Sequence, residues 1–322
     1  MRAVARDTYC QPEALRLVEL PTPVPGEGEV LIRVRATALN ASDIELLTGK
    51  PLYGRVFGPL RPRFGILGSD VAGTVEAVGP GVTQLRVGDA VYGDIFEHFG
   101  GLAEAVCAPA TALRPKPAAM SFEQAAALPQ SGAIALQGIC DEGRLEAGER
   151  VLVNGAGGGG GSFAVQLAKR LGAEVTAVDG PHKLDLLLSL GADHVIDHTR
   201  QDCTRGAQRY DLILDLVGHH SVVDFWRALA PGGRYLLVGG PMRLVFGVLG
   251  LGTLLTLLTS KKVGMLALKT NHGLDRLEDL FQAGELKPAI DRYFPLPQAS
   301  EALRYLADGR ALGKVVITVA SD

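Results

Sequence analysis

The sequence has few cysteines and a small net charge. Only four of its 322 residues are cysteines, and they are far apart, with no Cys-x-x-Cys pair: Cys10, Cys107, Cys140 and Cys203. This spacing argues against a disulfide framework and a cysteine-rich zinc lobe, and it favours the reducing cytoplasm. A formal net charge of -3 gives no electrostatic reason to expect nucleic acid or an anionic membrane as a partner.

Long hydrophobic runs are also scarce, with one exception between Leu244 and Leu258, LVFGVLGLGTLLTLL. This run contains three glycines and is shorter than the roughly 20 residues that a membrane-spanning helix needs. We interpret it as a buried helix, the lining of an apolar substrate channel or a dimer contact. Contact with a membrane surface is the alternative, and no stable membrane insertion is expected. The N-terminus lacks a continuous apolar core, so no signal peptide is predicted.

Two patterns of periodicity divide the chain. Residues 30–38 (VLIRVRATA) and 71–78 (VAGTVEAV) alternate as strands do, and turn clusters separate them. After about residue 120, short apolar runs alternate with helical stretches of roughly ten residues. Such alternation predicts βαβ units around a parallel sheet.

A glycine tract follows the first of these strands. Residues 151–153 form an apolar strand, the tract follows, and an amphipathic helix is predicted over residues 162–171. This order matches a dinucleotide fingerprint, in which the first spaced position makes a tight turn, the second lets a pyrophosphate touch the backbone and the third lets the helix pack on the strand. Backbone N–H groups at the positive end of the helix then bind the phosphates. The predicted cofactor-binding residues here are Ala156, Gly157, Gly158, Gly159, Gly160 and Gly161.

Further candidate cofactor residues lie at the ends of the following strands. Asp179 ends the strand of residues 174–178, where a carboxylate can accept both ribose hydroxyls of an adenosine and repel a 2′-phosphate. A solvated loop acid is the alternative. His182 and Lys183 follow and would partly offset that repulsion. Val217 and Gly239 end later strands, on the sheet edge where such folds bind ligands.

These motifs resemble the medium-chain dehydrogenase/reductase superfamily, and specifically its zinc-independent quinone oxidoreductase (ζ-crystallin-like) family. The tract GERVLVNGAGGGGGSFAVQLAK is similar to that family's signature, and PTPVPGEGEVLIRVRATALNASD resembles the opening of a GroES-like catalytic domain. The resemblance implies an α/β protein, with a Rossmann doubly wound parallel sheet inserted in a GroES-like β-rich catalytic domain. It places the catalytic domain at residues 1–123 and 270–322 and the nucleotide-binding domain at residues 124–269.

The same resemblance implies that no zinc ion takes part. The positions at which zinc-using relatives place their ligands correspond to Asn40, Ser69 and roughly Gln130. Tetrahedral zinc prefers thiolate, imidazole or carboxylate ligands, so these three residues are poor ligands.

Two catalytic candidates also come from the resemblance. It places Asn40 beside the nicotinamide, where the amide would orient the carboxamide or the substrate oxygen, although the sequence NASD also fits a helix cap. Tyr53 matches loosely a tyrosine that donates a proton or hydrogen bond in some relatives. Asp43 is expected to brace the loop of Asn40. His198 stands where many relatives have a tyrosine near the adenosine.

The predicted activity is a metal-free, NAD(P)H-dependent hydride transfer to a quinone or an α,β-unsaturated carbonyl, a small lipophilic substrate. NADPH is expected from the family, whereas Asp179 favours NADH. An enoyl-thioester reductase of a polyketide or fatty-acyl pathway is one alternative, for which Arg55, Arg61 and Arg63 would form a docking patch. A non-catalytic nicotinamide-binding protein is the other. The resemblance further implies a cytoplasmic homodimer.

Overall fold

The computed structural model describes residues 1–319. They divide into two compact units. The first contains residues 1–130 and 270–272 and the C-terminal part from Ile290, and the second contains residues 131–269 and 273–289. The sequence-based limits differ from this division in two places, because residues 124–130 lie in the first unit and residues 273–289 lie in the second.

Strands and helices of the described residues are numbered in chain order. The strands are β1 (Arg2–Ala5), β2 (Arg16–Glu19), β3 (Glu29–Leu39), β4 (Asp70–Val78), β5 (Ala90–Asp94), β6 (Ala105–Pro109), β7 (Arg114–Pro115), β8 (Arg150–Asn154), β9 (Glu174–Asp179), β10 (His194–Asp197), β11 (Tyr210–Asp215), β12 (Leu229–Leu237), β13 (Lys262–Met265), β14 (Ile290–Pro295) and β15 (Lys314–Thr318). The α-helices are α1 (Ala41–Thr48), α2 (Phe122–Ala127), α3 (Pro129–Leu136), α4 (Gly159–Arg170), α5 (Leu184–Ser189), α6 (Val222–Ala228), α7 (Met242–Gly247), α8 (Thr253–Leu258), α9 (Leu274–Gln282) and α10 (Ala299–Ala307).

The first unit is built on a mixed sheet with β3 at its centre. The strands follow the order β14-β15-β3-β4-β5-β7, and β6 also pairs with β3. Val30, Ile32 and Val34 alternate along β3 and are buried, as the period of two predicts. The strands predicted over residues 30–38 and 71–78 are therefore confirmed as β3 and β4.

The second unit contains a six-stranded parallel sheet in the order β10-β9-β8-β11-β12-β13. This is the strand order of a Rossmann fold, and the connections reverse direction between the central strands β8 and β11. Buried apolar residues such as Val151, Leu152 and Val153 fill β8 because helices cover both faces of a parallel sheet.

The end of the chain returns to the first unit. β15 pairs antiparallel with β3 and parallel with β14, so the last described strand lies inside the sheet that the N-terminal third begins. The predicted fold class, a Rossmann sheet inserted in a GroES-like domain, is confirmed by this chain path.

The apolar run between Leu244 and Leu258 is helical but only partly buried. It forms α7, a π-helical turn at Val248–Gly252 and α8. Leu244 and Val248 face inward, whereas Phe246 and Leu257 are exposed. The interpretation as a buried helix is therefore wrong for one face of this segment. Within residues 1–319, no helix combines the length and apolar character needed to cross a bilayer.

Candidate active site

A buried polar cluster forms in the first unit where three neighbouring strands begin or end. Asn40 follows β3 directly, Asp70 begins β4 and Lys314 begins β15. β4 and β15 both run antiparallel to β3, with Ala38 opposite Asp70 and Leu39 opposite Val315. The end of β3 therefore lies beside the starts of the other two strands. We use the name buried polar cluster for Asn40, Asp43, Ser69, Asp70, Asp94, Gln130 and Lys314, all of which are buried.

Lys314 supplies the positive charge of this cluster. The Lys314 ammonium donates to Oδ1 of Asn40 over 2.6 Å and to Oδ2 of Asp70 over 3.3 Å. The Asn40 amide donates to the same Asp70 oxygen over 2.9 Å. Burial raises the pKa of Asp70, and the Lys314 charge and the hydrogen bond from Asn40 oppose that rise. The three side chains hold each other in one orientation because a buried charge needs both a partner and hydrogen bonds.

Gln130 links the remaining members. Its backbone N–H donates to Oδ1 of Asp70 over 3.0 Å. Its side-chain amide approaches Oγ of Ser69 at 3.4 Å and Oδ2 of Asp94 at 3.3 Å. Oδ1 of Asp94 is buried and has no hydrogen-bond partner among residues 1–319. Burial, followed by the nearby charge of Asp70, raises the pKa of Asp94 to about 7.

Asp43 holds the loop of Asn40, as the sequence predicts. Asn40 is the N-cap of α1, and its backbone N–H donates to Oδ2 of Asp43 over 2.8 Å. The other oxygen of Asp43 accepts from the N–H of Gly68 over 2.9 Å. Burial raises the pKa of Asp43 to about 6 against these two hydrogen bonds. Asn40 is thus both a helix cap and a member of the cluster, so the two sequence interpretations are compatible.

The Tyr53 hydroxyl is engaged by a neighbouring acid. It donates to Oε1 of Glu45 over 2.8 Å, and burial raises the pKa of Glu45 while this hydrogen bond lowers it. Arg55, from the same segment, lies over the Tyr9 ring with its guanidinium carbon 4.7 Å from the centroid. The structure thus gives Tyr53 a partner on α1, and its catalytic role stays a prediction.

The glycine tract of the second unit forms a tight turn between β8 and α4. Gly155 has a φ of 84°, which favours glycine. A Cβ on Gly161 would lie 2.3 Å from the carbonyl oxygen of Gly155, so helix and strand pack against each other only because residue 161 is a glycine. This confirms the packing role that the fingerprint gives to its third position. By contrast, a Cβ on Gly158 would approach only the Gly155 oxygen, at 3.6 Å.

The helix begins earlier than predicted, and this changes which N–H groups are available. α4 starts at Gly159 rather than at residue 162, and the Ser162 N–H closes its first turn on Gly158. Gly159, Gly160 and Gly161 therefore occupy the first three helical positions, whose N–H groups lack a partner within the helix. The Gly157 N–H instead donates to Asp179 over 2.7 Å, so it already has a partner, and its contact with phosphate stays a prediction.

The predicted adenosine residues gather at the end of β9. Oδ2 of Asp179 accepts from Gly157 and Oδ1 accepts from the N–H of Gly180 over 2.8 Å. The Lys183 ammonium lies 3.4 Å from Oδ1, with both side chains largely buried. A Cβ on Gly180 would be 3.1 Å from His182 and 3.8 Å from His198, so both imidazoles flank this position. Asp179 is an ion-paired carboxylate, and the alternative of a solvated loop acid is wrong.

Sequence reasoning missed a second carboxylate in this unit. Asp215 is fully buried at the end of β11, and its Oδ1 accepts from the Asn154 amide over 2.8 Å and from the Gly218 N–H over 2.9 Å. Its Oδ2 accepts from the Tyr235 hydroxyl over 2.9 Å. These bonds fix the loop that carries Val217.

The turns after β11 and β12 also meet. A Cβ on Gly240, the neighbour of Gly239, would lie 3.3 Å from the Gly218 Cα. Val217 and Gly239 directly precede Gly218 and Gly240 in the chain, so both lie beside this contact at the carboxyl edge of the sheet.

Known proteins share this architecture over the whole chain. Two family models match: the alcohol dehydrogenase GroES-like domain over residues 26–118 and zinc-binding dehydrogenase over residues 190–317. The chain is 33% identical to the 2-methylene-furan-3-one reductase of Solanum lycopersicum, over 98% of this chain and 79% of that relative. It is also 33% identical to the chloroplastic quinone-oxidoreductase QR1 of Triphysaria versicolor, over 98% of each chain.

Solved structures of known proteins share the fold of this chain. The Escherichia coli quinone oxidoreductase complexed with NADPH superposes with a TM-score of 0.87 at 26% identity, covering 99% of this chain and 100% of that one. The chain belongs to the quinone oxidoreductase family of the medium-chain dehydrogenases/reductases. It is therefore an oxidoreductase, and the family resemblance drawn from the sequence is confirmed.

The family model's description raises the question of zinc, and the three residues of the buried polar cluster at the ligand positions do not fit that ion. Asn40, Ser69 and Gln130 offer amide and hydroxyl oxygens rather than the preferred thiolate, imidazole or carboxylate. The Lys314 ammonium, 2.6 Å from Oδ1 of Asn40, already places a positive charge there and would repel a dication.

Elsewhere in residues 1–319, side chains that can ligate a metal come together at Asp202, Cys203 and His220. Nδ1 of His220 faces Asp202 at 3.7 Å, and Nε2 faces the Cys203 sulfur at 3.8 Å. One ligand atom from each of these three residues lies within 4.8 Å of the others, a spacing that such groups also reach without an ion.

The second unit, by contrast, fits a dinucleotide. The first-turn N–H groups of Gly159, Gly160 and Gly161 point out of the helix N-terminus, where an anion is favoured. Space above Gly158 lets a phosphate approach the backbone.

Sequence reasoning missed three members of the buried polar cluster, Asp70, Asp94 and Lys314, all of which are buried. Asp94 ends β5, whereas Asp70 and Lys314 each open an otherwise apolar strand, in DVAGTV and KVVIT. A charge at the first position of a buried strand is the signal that would have pointed to Asp70 and Lys314. Asp215 carries a similar signal, since it ends the apolar run YDLILD.

Proposed function

We propose that this chain transfers a hydride from a nicotinamide dinucleotide to a quinone or an α,β-unsaturated carbonyl without a metal ion. The names of the relatives, a quinone oxidoreductase and a methylene-furanone reductase, support this acceptor class. The observation that carries the proposal is the Lys314 ammonium at 2.6 Å from Asn40, within the buried polar cluster.

A fixed ammonium and a metal ion have different consequences for the acceptor. Reduction of an isolated carbonyl develops a localised alkoxide, which a Lewis acid stabilises. A quinone or enone spreads the incoming charge over a conjugated system, and fixed hydrogen-bond donors then suffice. A site with Asn40, Ser69 and Gln130 in place of good metal ligands therefore favours conjugated acceptors.

When bound, the dinucleotide supplies the hydride. Gly159, Gly160 and Gly161 bind the pyrophosphate through their N–H groups, and the buried Asp215 holds the turn that carries Val217 and Gly218. We assign Asn40 a positioning role, since Lys314 and Asp70 engage its oxygen and its amide and thereby fix its plane. For Tyr53 we keep the role of hydrogen-bond donor to the acceptor oxygen, which requires its hydroxyl to leave Glu45.

We propose that both NADH and NADPH are accepted. A free carboxylate at the end of β9 selects against a 2′-phosphate. Here the charge of Asp179 is offset by Lys183 at 3.4 Å, and His182 lies close by. Oδ2 of Asp179 accepts from the Gly157 N–H and keeps a second acceptor direction, so a ribose hydroxyl can still donate to it. Discrimination between the two dinucleotides is therefore expected to be weaker than with an unpaired acid.

The test is an acceptor screen with protein purified in the presence of a chelator. NADH and NADPH are each titrated by fluorescence, and oxidation is then followed with a benzoquinone, a linear enone, a saturated aldehyde and an enoyl-coenzyme A thioester. Turnover of quinone or enone that persists with chelator supports the proposal. Reduction of the aldehyde alone, or activity that requires added zinc, refutes it.

Two alternatives give different results in the same screen. Preference for the thioester would favour the enoyl-thioester reductase, for which Arg61 and Arg63 are exposed while Arg55 packs on Tyr9. Dinucleotide binding without turnover of any acceptor would favour a non-catalytic role. We also propose a cytoplasmic homodimer, supported by the family resemblance and the separated free cysteines. Analytical ultracentrifugation tests the dimer.

A further inference from the structure

A carboxyl group and a tyrosine hydroxyl form a half-buried pair in the first unit. Glu45 lies on α1, and the Tyr53 hydroxyl donates to its Oε1 over 2.8 Å. Both residues are half-buried. The proposed hydride transfer uses Tyr53 as a hydrogen-bond donor but assigns no task to Glu45. A tyrosine that gives up its proton must regain one before the next turnover, and the Glu45 carboxyl group is already in contact with it.

Backbone packing holds the two groups together. A short 3₁₀ helix carries Tyr53, and a Cβ on its Gly54 would lie 2.4 Å from the Glu45 carbonyl oxygen. The 3₁₀ helix therefore packs this closely on α1 only because residue 54 is a glycine. Arg55 adds a second tie, since its Nε donates to the carbonyl oxygen of Gly49 over 3.1 Å at the end of α1. The hydroxyl thus approaches the carboxyl group from a fixed backbone.

Glu45 has a hydroxyl rather than a cation as its partner within residues 1–319. The charged and titratable groups on α1 and on the segments that contact it bind other groups or are exposed: Arg6, Asp43, Arg55, Glu301, Arg304 and Tyr305. Burial raises the pKa of Glu45, and the hydrogen bond from Tyr53 offsets only part of that rise. Glu45 therefore holds a proton more readily than an exposed glutamate does.

Donation by Tyr53 requires this proton on Glu45. With an ionised Glu45, loss of the phenolic proton would leave two anionic oxygens 2.8 Å apart in a part-buried place. A protonated Glu45 instead donates to the Tyr53 oxygen, which turns the phenolic hydrogen towards the acceptor. The phenolate then takes the carboxyl proton, because a phenol is a far weaker acid than a carboxylic acid. A single negative charge remains, on the carboxylate.

We propose that Glu45 stores the proton that Tyr53 delivers to the reduced acceptor. This role rests on the proposed hydride transfer to a quinone or enone, which leaves the acceptor as an anion. The Tyr53 O–H bond breaks, and the acceptor oxygen supplies the electron pair of the new O–H bond. The Glu45 O–H bond then breaks and restores the Tyr53 hydroxyl, and water reprotonates the carboxylate. Glu45 acts only through Tyr53 and is therefore a positioning residue.

Steady-state kinetics with a benzoquinone test this role. Glu45→Gln keeps the size of the side chain but has no carboxyl proton to transfer, so we expect kcat to fall about tenfold or more at an unchanged dinucleotide affinity. The native kcat should fall as the pH rises through the ionisation of Glu45, and the kcat of Glu45→Gln should not change over that range. Glu301→Gln, on an exposed acid of the neighbouring α10, is the matched control and should keep the native pH profile.

Two further variants separate proton supply from a purely structural contact. Glu45→Asp keeps a carboxyl proton and should retain the pH dependence that Glu45→Gln loses. Because Glu45 acts through Tyr53, Glu45→Gln/Tyr53→Phe should be no slower than Tyr53→Phe alone. Losses that multiply in the double variant, or a native kcat and pH profile in Glu45→Gln, overturn the proposal. Thermal unfolding verifies the fold of every variant.

Infrared spectroscopy detects the stored proton without turnover. At mildly acidic pH the native chain and Glu301→Gln should share a carboxylic-acid carbonyl band that Glu45→Gln lacks. If Glu45→Gln loses no such band, Glu45 is ionised and the proposal is overturned, even where the native chain reduces quinones. If the band is present but the native chain reduces neither quinones nor enones, the proposed hydride transfer is refuted, and the delivery of the proton with it.

Discussion

The Lys314 ammonium lies 2.6 Å from the Asn40 amide oxygen, although 274 residues separate the two along the chain. The contact exists because the first and last long strands of the mixed sheet, β3 and β15, are neighbours in antiparallel register. Asp70 begins β4, the strand on the other side of β3, and its carboxylate lies 3.3 Å from the Lys314 ammonium.

Removing the Lys314 charge alone should destabilise the protein more than removing the charges of both Lys314 and Asp70. Lys314→Met leaves Asp70 buried without its cation, so we expect a loss of about 3–5 kcal/mol in the free energy of unfolding. Lys314→Met/Asp70→Asn removes both charges and should recover part of that loss. Urea unfolding of the three proteins measures this. A single variant as stable as the native chain would show that the pair contributes little.

Asp94 should make the protein less stable at alkaline pH. Its pKa is raised from 3.8 to about 7 in the folded state, so the stability present at low pH is lost as the pH rises through that interval. Asp94→Asn removes this loss, and we expect a gain of about 4 kcal/mol at pH 8 and almost none at pH 4. Unfolding of both proteins across this range is the measurement. A gain that does not depend on pH would contradict the assignment.

Lys183 and Asp179 should shift the dinucleotide preference in opposite directions. Lys183→Met exposes a 2′-phosphate to an unpaired carboxylate and should raise the ratio of the NADPH to the NADH dissociation constant about tenfold. Asp179→Asn keeps an acceptor for the Gly157 N–H but removes the charge, so the ratio should fall by a similar factor. Lys169→Met, which removes a lysine paired with Asp193, is the control. Shifts in the same direction would refute the electrostatic explanation.

Two glycines of one turn should respond differently to alanine. Gly161→Ala places a Cβ 2.5 Å from the Ala156 Cα, so we expect a loss of about 2–3 kcal/mol in stability, with dinucleotide binding abolished. Gly158→Ala meets nothing closer than 3.6 Å and should fold normally, but its methyl group occupies the phosphate approach and should weaken binding about tenfold. Fluorescence titration and thermal unfolding separate the two effects. Similar loss of stability in both variants would contradict this view.

Tyr53→Phe tests the remaining catalytic candidate. If its hydroxyl donates to the acceptor, kcat should fall about tenfold or more while dinucleotide affinity stays unchanged. Tyr9→Phe is the control, because the Tyr9 hydroxyl also donates within this region, to the Gly58 carbonyl oxygen. A change in kcat below about twofold would mean that Tyr53 only holds Glu45.

Local patterns were enough to predict the strands, the helices and the nucleotide turn. Alternation along residues 30–38 and the strand–glycine–helix order after residue 150 depend on periodicities of two and 3.6 residues, which the sequence displays directly. The requirement for glycine at position 161 is also local, since the atoms that a Cβ would strike belong to residues 155 and 156 of the same turn. The boundary of α4 was missed because glycines carry little helix propensity, and the capping geometry decides where the helix begins.

The amino-acid sequence by itself therefore determined the family, the fold types of the two units and the dinucleotide turn. Tertiary structure alone decided that Lys314 and Asp70 meet Asn40, that Lys183 neutralises Asp179 beside two histidines, and that the leucines after Met242 are left outside. The physical reason is that pairing between strands and packing between helices depend on contacts between distant segments. Whether a charge is paired or an apolar side chain is covered is a property of those contacts, and no single segment of sequence contains it.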